Sequence, residues 1–381
     1  MSNATVLRHF GSIAEAQTAL MERMVRQLVF EVLTIAQRDG AAAHSATEEI
    51  AALFDAFESK GAARLAAWLE LTGEARRMTF VPAAVREVVE ARVGRFANIP
   101  DDLREDLTLA CITMALAGVI VASATDTHLD LTLAALRAGK AVFCEKPLDL
   151  DLARLRAHEA ELRAAQAPLF VAFNRRFDPH FQALKARLDA GAVGVVESLN
   201  IISHDATPPH AGFVTTSGGL FRDMAIHDLD MARWLLGEAP SEVFASASCL
   251  VDPAIGEAGD VDTARIVLKT PSGRLAMISN SRRSGYGYDQ RIEAFGARGM
   301  ARVDNVVQST VSTWSEAGAA SDRFEPFFLE RYAQAYAREM DHFADVLDGV
   351  APMVGLDEAM AALALAEAAE TSRRSGSVVR V

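Results

Sequence analysis

The sequence predicts an α/β plus α+β chain: a partial parallel sheet and a C-terminal antiparallel-sheet domain, preceded by an all-α helical segment. Residues 12–116 have helix-forming composition almost throughout. Residues 118–173 alternate short β-branched runs with helical stretches, and several extended segments follow one another over residues 241–305. These three observations divide the chain into segments 1–117, 118–176 and 177–381.

The first segment is predicted to be a bundle of about five helices. Apolar residues recur at three and four spacing in "EAQTALMERMVRQLVFEVLTIAQ" and again in "TEEIAALFDAFESKGAARLAAWLEL". Breaks between helices are expected where helix-breaking residues stand, near Gly40, Gly61, Gly73 and Pro100.

The second segment is predicted to contain three parallel strands, at residues 119–123, 141–144 and 169–173. Helical stretches lie between these runs, as parallel strands need crossover connections. A sheet of only three such strands leaves one edge uncovered, and we expect that edge to need protection by another part of the chain.

The third segment is predicted to hold a largely antiparallel sheet. Five extended runs follow one another with few helical interruptions, and a Pro-Ser-Gly turn at 271–273 separates two of them. Helices are expected at 327–348 and 355–373.

Composition favours a globular protein with a small-molecule partner. Half of the 381 residues are hydrophobic, and the net charge of -13 disfavours attraction to nucleic acid or anionic lipid. The three cysteines (Cys111, Cys144 and Cys249) lack CxxC spacing, so neither a disulfide framework nor a zinc ribbon is indicated, and a cytoplasmic location is expected.

One uncharged run, residues 107–124, just reaches the length of a membrane span. Its second half, "GVIVASA", is typical of a buried strand, whereas its first half is rich in Leu, Ala and Met. We therefore interpret the run as a helix that meets a strand, and expect no membrane partner.

The stretch "DMAIHDLD" carries the main candidates for catalysis. Asp223 and His227 are four apart, so on a helix they share one face, where a carboxylate can orient an imidazole that exchanges protons. A capped helix with a satisfied histidine is the alternative. A metal site that adds Asp230 is less favoured, since no further ligand cluster is evident, and we predict no metal.

Lys146 is the second candidate. It stands in a Glu-Lys-Pro turn after a predicted strand, and ligand crevices of open α/β sheets form where strands end. The alternative is a solvated loop lysine.

Several motifs resemble those of the Gfo/Idh/MocA oxidoreductases, and within them the inositol 2-dehydrogenase branch. The resemblance rests on motifs that occur in the family's order and spacing: "ASATDTH", "FCEKPLDLD", "FNRRFDP", "SGGLFRDMAIHDLDMARWLLG" and "YGYDQRIEAFGARGMARVDN". It implies a Rossmann-type parallel sheet and NAD-dependent oxidation of a secondary hydroxyl on a cyclic polyol, with myo-inositol the favoured substrate.

The resemblance also implies roles for individual residues. His227 would take the hydroxyl proton, Asp223 would orient His227 and contact the polyol, and Lys146 would hold the reacting oxygen. Further polyol contacts are expected from Arg176, Asp230 and Tyr286. Cofactor contacts are expected from Ser123, Thr125, His128, Glu145 and Lys146, although Ser123 and Thr125 could equally serve as helix caps.

The glycine-rich GxGxxG loop that holds a dinucleotide is absent from the sequence. The acidic residue that would contact the adenosine ribose is absent with it, so NADP stays open beside NAD. By resemblance the family's first β/α units are missing, and we expect weakened dinucleotide binding.

Residues 4–25, "ATVLRHFGSIAEAQTALMERMV", resemble the end of the recognition helix of TetR-type regulators. Segment 1–117 would then correspond to a truncated regulator without a complete DNA-binding domain, so no nucleic-acid partner is expected. Two alternatives to the dehydrogenase follow: a small-ligand-binding or dimerisation protein, and a catalytically inactive fusion. The Gfo/Idh/MocA resemblance implies a homo-oligomer, with a tetramer expected.

Overall fold

The computed structural model describes residues 118–381. Residues Val119–Val381 form one compact unit. The helical bundle predicted for segment 1–117, its breaks and the TetR-type resemblance lie outside the described residues.

The first half of the described unit is a small α/β layer. Its elements are β1 (Gly118–Val121), α1 (His128–Arg137), β2 (Ala141–Glu145), α2 (Leu152–Ala157), α3 (Glu159–Ala164) and β3 (Leu169–Ala172). The strands lie in the order β1-β2-β3, and β2 and β3 are parallel, with Val142 opposite Leu169. The predicted alternation of strands and helices is confirmed. The prediction that another part of the chain protects the uncovered edge of this sheet lies outside the described residues.

The second half holds a mixed sheet and the remaining helices. In chain order these are α4 (Pro179–Asp189), β4 (Val196–His204), α5 (Ala211–Ser217), α6 (Ile226–Leu236), β5 (Glu242–Ser248), α7 (Pro253–Glu257), β6 (Thr263–Lys269), β7 (Leu275–Ser281), β8 (Asp289–Gly296), β9 (Gly299–Val303), β10 (Ser312–Ser315), β11 (Gly318–Ser321), α8 (Phe328–Arg331), α9 (Ala333–Leu347), α10 (Leu356–Ser375) and β12 (Val379–Arg380).

Seven of these strands form one sheet in the order β12-β5-β6-β7-β4-β8-β9. All neighbours are antiparallel apart from β4 and β7, which are parallel. The sequence suggested a largely antiparallel sheet because consecutive strands are joined by turns. The parallel pair arises because β4, which comes before β5 to β9 in the chain, lies between β7 and β8 in the sheet. The connection from β7 to β8 must therefore pass the end of β4.

The two faces of this sheet differ sharply. Ala245, Ile266, Ile278, Ile201 and Ile292 lie in register across five strands, and all five are buried under the helices. On the opposite face a second row in register, Phe244, Val267 and Met277, is exposed. The alternation follows from the two-residue period of a strand.

The uncharged run 107–124 is described only from Gly118 onward, where it forms β1. In the stretch from 118 to 381, no helix is both long and apolar enough to cross a membrane.

Candidate active site

Lys146 and Asp223 meet at the centre of the candidate site. Lys146 directly follows β2, and its ammonium donates hydrogen bonds to the main-chain oxygen of Asp223 at 2.7 Å and to Oδ1 at 3.3 Å. Both side chains are mostly buried. The strand end therefore directs a cation toward a carboxylate, and the role of Lys146 in holding a reacting oxygen stays a prediction.

Two glycines and a wide turn place Asp223. Gly218 and Gly219 both have positive φ, and a Cβ on Gly219 would lie 2.7 Å from Asp260 Oδ1. The adjacent main-chain N–H of Leu220 donates to Asp260 Oδ2 at 2.9 Å. A π-helical turn, Phe221–Ala225, follows and leads into α6; such turns recur at functional sites. Only glycine allows this close approach without strain.

A second cation, Arg282, holds the other oxygen of Asp223. One guanidinium nitrogen of Arg282 lies 3.0 Å from Asp223 Oδ2, and the other lies 3.4 Å from Asp205 Oδ2. Burial raises the pKa of Asp223, but Lys146 and Arg282 outweigh it and hold that pKa below its ordinary value. Asp205 is different, because burial dominates and raises its pKa to about 6.

His227 lies in the first turn of α6, and its buried Nδ1 has no hydrogen-bond partner among residues 118–381. The ring packs edge-on against Phe173. Burial lowers the pKa of His227 well below its ordinary value, and the nearby charges of Lys146 and Arg175 lower it further. The imidazole is therefore neutral at pH 7 and can accept a proton.

The prediction that Asp223 orients His227 is not realised in this structure. Both oxygens of the Asp223 carboxylate are bonded to cations, and no hydrogen bond joins it to His227 within the described residues. Hydrogen bonds between charged groups are stronger than those to a neutral imidazole, so Lys146 and Arg282 take the carboxylate.

Arg176 and Asp230, predicted to contact a polyol, are instead bonded to each other. Arg176 donates to both oxygens of Asp230, at 2.8 and 2.6 Å, and both residues are buried. The guanidinium also lies over the Trp234 ring. Both carboxylate oxygens of Asp230 therefore accept hydrogen bonds from Arg176. The pair stabilises the core that supports α6.

Tyr286 lies in the connection from β7 to β8, four residues after Arg282, and is exposed. Its hydroxyl donates to Asp289 Oδ2 at 2.7 Å. Its predicted contact with a polyol stays a prediction.

The predicted cofactor residues cluster where β1 and β2 end. The Ser123 hydroxyl bonds to that of Thr127, Thr125 opens a short helical turn, and Glu145 closes β2, where burial raises its pKa. The predicted cofactor contact of His128 is contradicted by the structure. Its two ring nitrogens lie 2.8 Å from the Pro147 carbonyl and 3.2 Å from the Ser123 carbonyl. The buried ring thus links the two turns and has no nitrogen left for a cofactor.

Several residues of the site gave no signal in the sequence. Arg282 and Asp205 follow strands that are distant in the chain, and a buried pair, Arg175 and Asp228, lies behind His227. Asn280 donates to the second oxygen of Asp228 at 2.7 Å. Within the 118–381 region no three or more His, Cys, Asp or Glu residues are grouped so as to hold a metal ion.

Comparison with known proteins shows the family to which this chain belongs. The family model for the GFO/IDH/MocA C-terminal domain matches residues 181–302, and the model for the oxidoreductase family with an NAD-binding Rossmann fold matches residues 35–173. The inositol 2-dehydrogenase of Rhizobium meliloti (strain 1021) is 46% identical over 255 residues, which cover 67% of this chain and 77% of that protein. This chain belongs to the Gfo/Idh/MocA oxidoreductase family.

Other family members agree with that assignment. The myo-inositol 2-dehydrogenase of Thermotoga maritima is 48% identical over 255 residues, covering 67% of this chain and 76% of the relative. The crystal structure of scyllo-inositol dehydrogenase from Lactobacillus casei with bound NAD(H) and scyllo-inositol has 28% identity and a TM-score of 0.64, covering 69% and 79% of the two chains. The matched Rossmann range begins at residue 35, inside the segment interpreted from its composition as a helical bundle.

The described residues suit the NAD that this family binds. Thr125 and Glu145 present polar side chains at the ends of neighbouring strands, the position where open α/β sheets bind nucleotides. The Thr125 hydroxyl has no hydrogen-bond partner among residues 118–381, and the buried Nδ1 of His227 is likewise unpartnered beside Lys146. Unpaired polar groups at this edge are what a bound ligand would satisfy.

The Arg176–Asp230 pair leads to a prediction about stability. Replacing Arg176 with Gln removes the bidentate partner of the buried Asp230, so the free energy of unfolding should fall by about 3–5 kcal/mol in urea titrations. Arg137→Gln is the matched control, because Arg137 is exposed and forms its ion pair with Glu161 at the surface. Equal stability of the two variants would show that the buried pair does not support the fold.

Proposed function

We propose that this chain is an inositol 2-dehydrogenase, which oxidises a ring hydroxyl of myo-inositol to the ketone. The observation that carries the proposal is the meeting of Lys146 with the ionised Asp223, close to a neutral His227 whose buried Nδ1 is unpartnered. A proton donor, an anion and a proton acceptor in one half-buried site are what oxidation of a polyol hydroxyl requires. The similarity to inositol dehydrogenases supports the choice of substrate.

NAD, when bound, supplies the hydride acceptor, so the protein's part is geometry and proton handling. Thr125, Ser123, Glu145 and Lys146 are the residues proposed to hold it. They follow β1 and β2, which lie side by side in the sheet.

Lys146 and His227 divide the handling of the reacting hydroxyl. The Lys146 ammonium donates a hydrogen bond to the hydroxyl oxygen and stabilises the negative charge that grows there as the proton leaves. His227 accepts that proton, and its lowered pKa keeps the imidazole neutral and available near neutral pH.

Asp223 orients the polyol. Its carboxylate stays charged between two cations, and a neighbouring ring hydroxyl can donate to it when the Lys146 ammonium turns toward the reacting oxygen. Tyr286 is proposed as a further contact from the loop above the site. A hydroxyl-rich ring needs such partners, because each buried hydroxyl left unpaired costs binding free energy.

The proposed roles of Lys146 and His227 predict that replacing either residue lowers kcat strongly. Lys146→Met and His227→Gln should each lower kcat for inositol-dependent NADH formation by about 10²–10⁴-fold, because each removes a group that acts in the transition state. The measurement is absorbance of NADH, with NAD⁺ binding followed by calorimetry in parallel. Lys269→Met, on the exposed part of β6, is the control and should keep the wild-type rate. No NAD⁺ binding at millimolar concentration by the wild-type protein would contradict the proposal.

The lowered pKa of His227 predicts the acidic side of the pH profile. A base acts when it is unprotonated, so kcat/KM should fall only as the pH drops below the ordinary histidine value of 6.5. Asp205 is the other group that could titrate in this range, because its pKa is raised to about 6, and Asp205→Asn removes that titration. His227 is not the titrating base if the acidic limb of the kcat/KM profile lies at or above pH 6.5, or if that limb disappears in Asp205→Asn.

We also propose that the chain forms a homotetramer through the outer face of its large sheet. Phe244, Val267 and Met277 form the exposed row described above, and Leu275 and Phe295 are further exposed apolar residues on the same face. Contiguous exposed apolar surface of this kind is typical of an interface.

Charge placed in that row should dissociate the assembly. Met277→Glu is expected to shift the mass measured by light scattering toward that of a monomer, because a buried unpaired carboxylate is costly. Val350→Glu introduces the same charge at an equally exposed apolar residue outside the sheet and should leave the mass unchanged. A wild-type monomer would refute the assembly.

A further inference from the structure

Arg282 lies buried between two carboxylates of the site. Its guanidinium donates to Asp223 Oδ2 at 3.0 Å and lies 3.4 Å from Asp205 Oδ2, while its buried Nε has no partner in the described part of the chain. The side chain is only 4% exposed. Its main-chain N–H is fixed as well, by a hydrogen bond of 2.8 Å to the Asp262 carbonyl. A buried arginine held in this way has one orientation available to it.

The parallel pair of strands explains this placement. His204 at the end of β4 stands opposite Ser281 at the end of β7, so the next residues, Asp205 and Arg282, leave the sheet side by side. The Asp205 N–H donates to the Ser281 carbonyl at 2.9 Å, which continues the ladder by one step. The sheet itself thus aims an arginine and an aspartate at the turn that carries Asp223.

We propose that Arg282 is a positioning residue for the reaction: it holds Asp223 Oδ2 so that Oδ1 faces Lys146, and it ties Asp205 to the same side of the site. This inference rests on the proposed function for its kinetic consequence. Arg282 is not itself a catalytic residue, since it acts through Asp223 and Lys146.

Charge explains why the arginine is needed. The groups that face the Asp223 carboxylate are Lys146 after β2, Arg282 after β7 and Asp205 after β4, with Arg175 and His227 next to them. Arg282 is the cation that separates the two carboxylates. Without it, Asp205 and Asp223 repel each other across a mostly desolvated site, and one of them takes up a proton at a higher pH. A protonated or turned Asp223 no longer pairs with Lys146.

The test compares Arg282→Gln with Arg283→Gln. Arg283 is the next residue and carries the same charge on an exposed side chain, so it controls for the change in net charge. For Arg282→Gln we expect kcat/KM to fall by about 10²-fold, since small misplacement of reacting groups has effects of that size. Its acidic limb should also move to higher pH, which a purely structural role would not produce. Arg283→Gln should retain wild-type values.

A titration that needs no turnover distinguishes this inference from the proposed function. Aspartate carboxyl carbons are followed by ¹³C NMR against pH, and Asp223→Asn identifies the Asp223 signal. In Arg282→Gln the midpoint of that signal should rise relative to Arg283→Gln, and an unchanged midpoint would overturn the positioning role. If wild-type protein fails to oxidise inositol but the midpoint shifts, the proposed function fails and the role of Arg282 in fixing Asp223 stands.

Arg282→Lys covers the case in which Arg282→Gln does not fold. It keeps the charge but loses the planar fork that spans two carboxylates. We expect an intermediate loss of kcat/KM and a midpoint near that of the wild type. Wild-type kinetics in Arg282→Lys would overturn the inference, because a single point charge would then suffice.

Discussion

The candidate site depends on keeping one mostly buried carboxylate charged. Burial by itself would raise the pKa of Asp223, and a protonated Asp223 would lose its ion pairs with Lys146 and Arg282 and would accept a hydrogen bond from a hydroxyl less strongly. Two cations prevent this, one on each oxygen, and they come from opposite parts of the unit: Lys146 from the small parallel layer and Arg282 from the large sheet. The two layers are thus joined at the position where chemistry is proposed.

The surrounding polar residues extend the same arrangement into the core. Arg175 pairs with Asp228 in the first turn of α6, and Asn280 satisfies the second carboxylate oxygen. Arg176 and Asp230 form a second buried pair two residues further along α6. Buried charges are tolerated only when they are paired and hydrogen-bonded, so these pairs fix α6, and with it His227, relative to the strands.

A neutral imidazole and a charged carboxylate thereby lie in the same site. His227 is kept neutral by burial and by the nearby Lys146 and Arg175, whereas Asp223 is kept charged by Lys146 and Arg282. Both pKa values lie below their ordinary values, which leaves the imidazole uncharged and the carboxylate charged at pH 7. The site therefore combines a negative charge with a neutral proton acceptor.

The sequence by itself determined the local parts of this protein. The alternation of strands and helices after residue 118, the positions of most strands in the large sheet, and the candidates Lys146, Asp223 and His227 all followed from periodicity and short motifs, because these are properties of neighbouring residues. The tertiary structure decided which groups meet. It bonded Arg176 to Asp230, used His128 to link two turns, and brought Arg282 and Asp205 to Asp223 through a parallel strand pair. Apart from the links made by His128, these contacts join residues more than fifty positions apart, and spacing along a chain carries no signal for them.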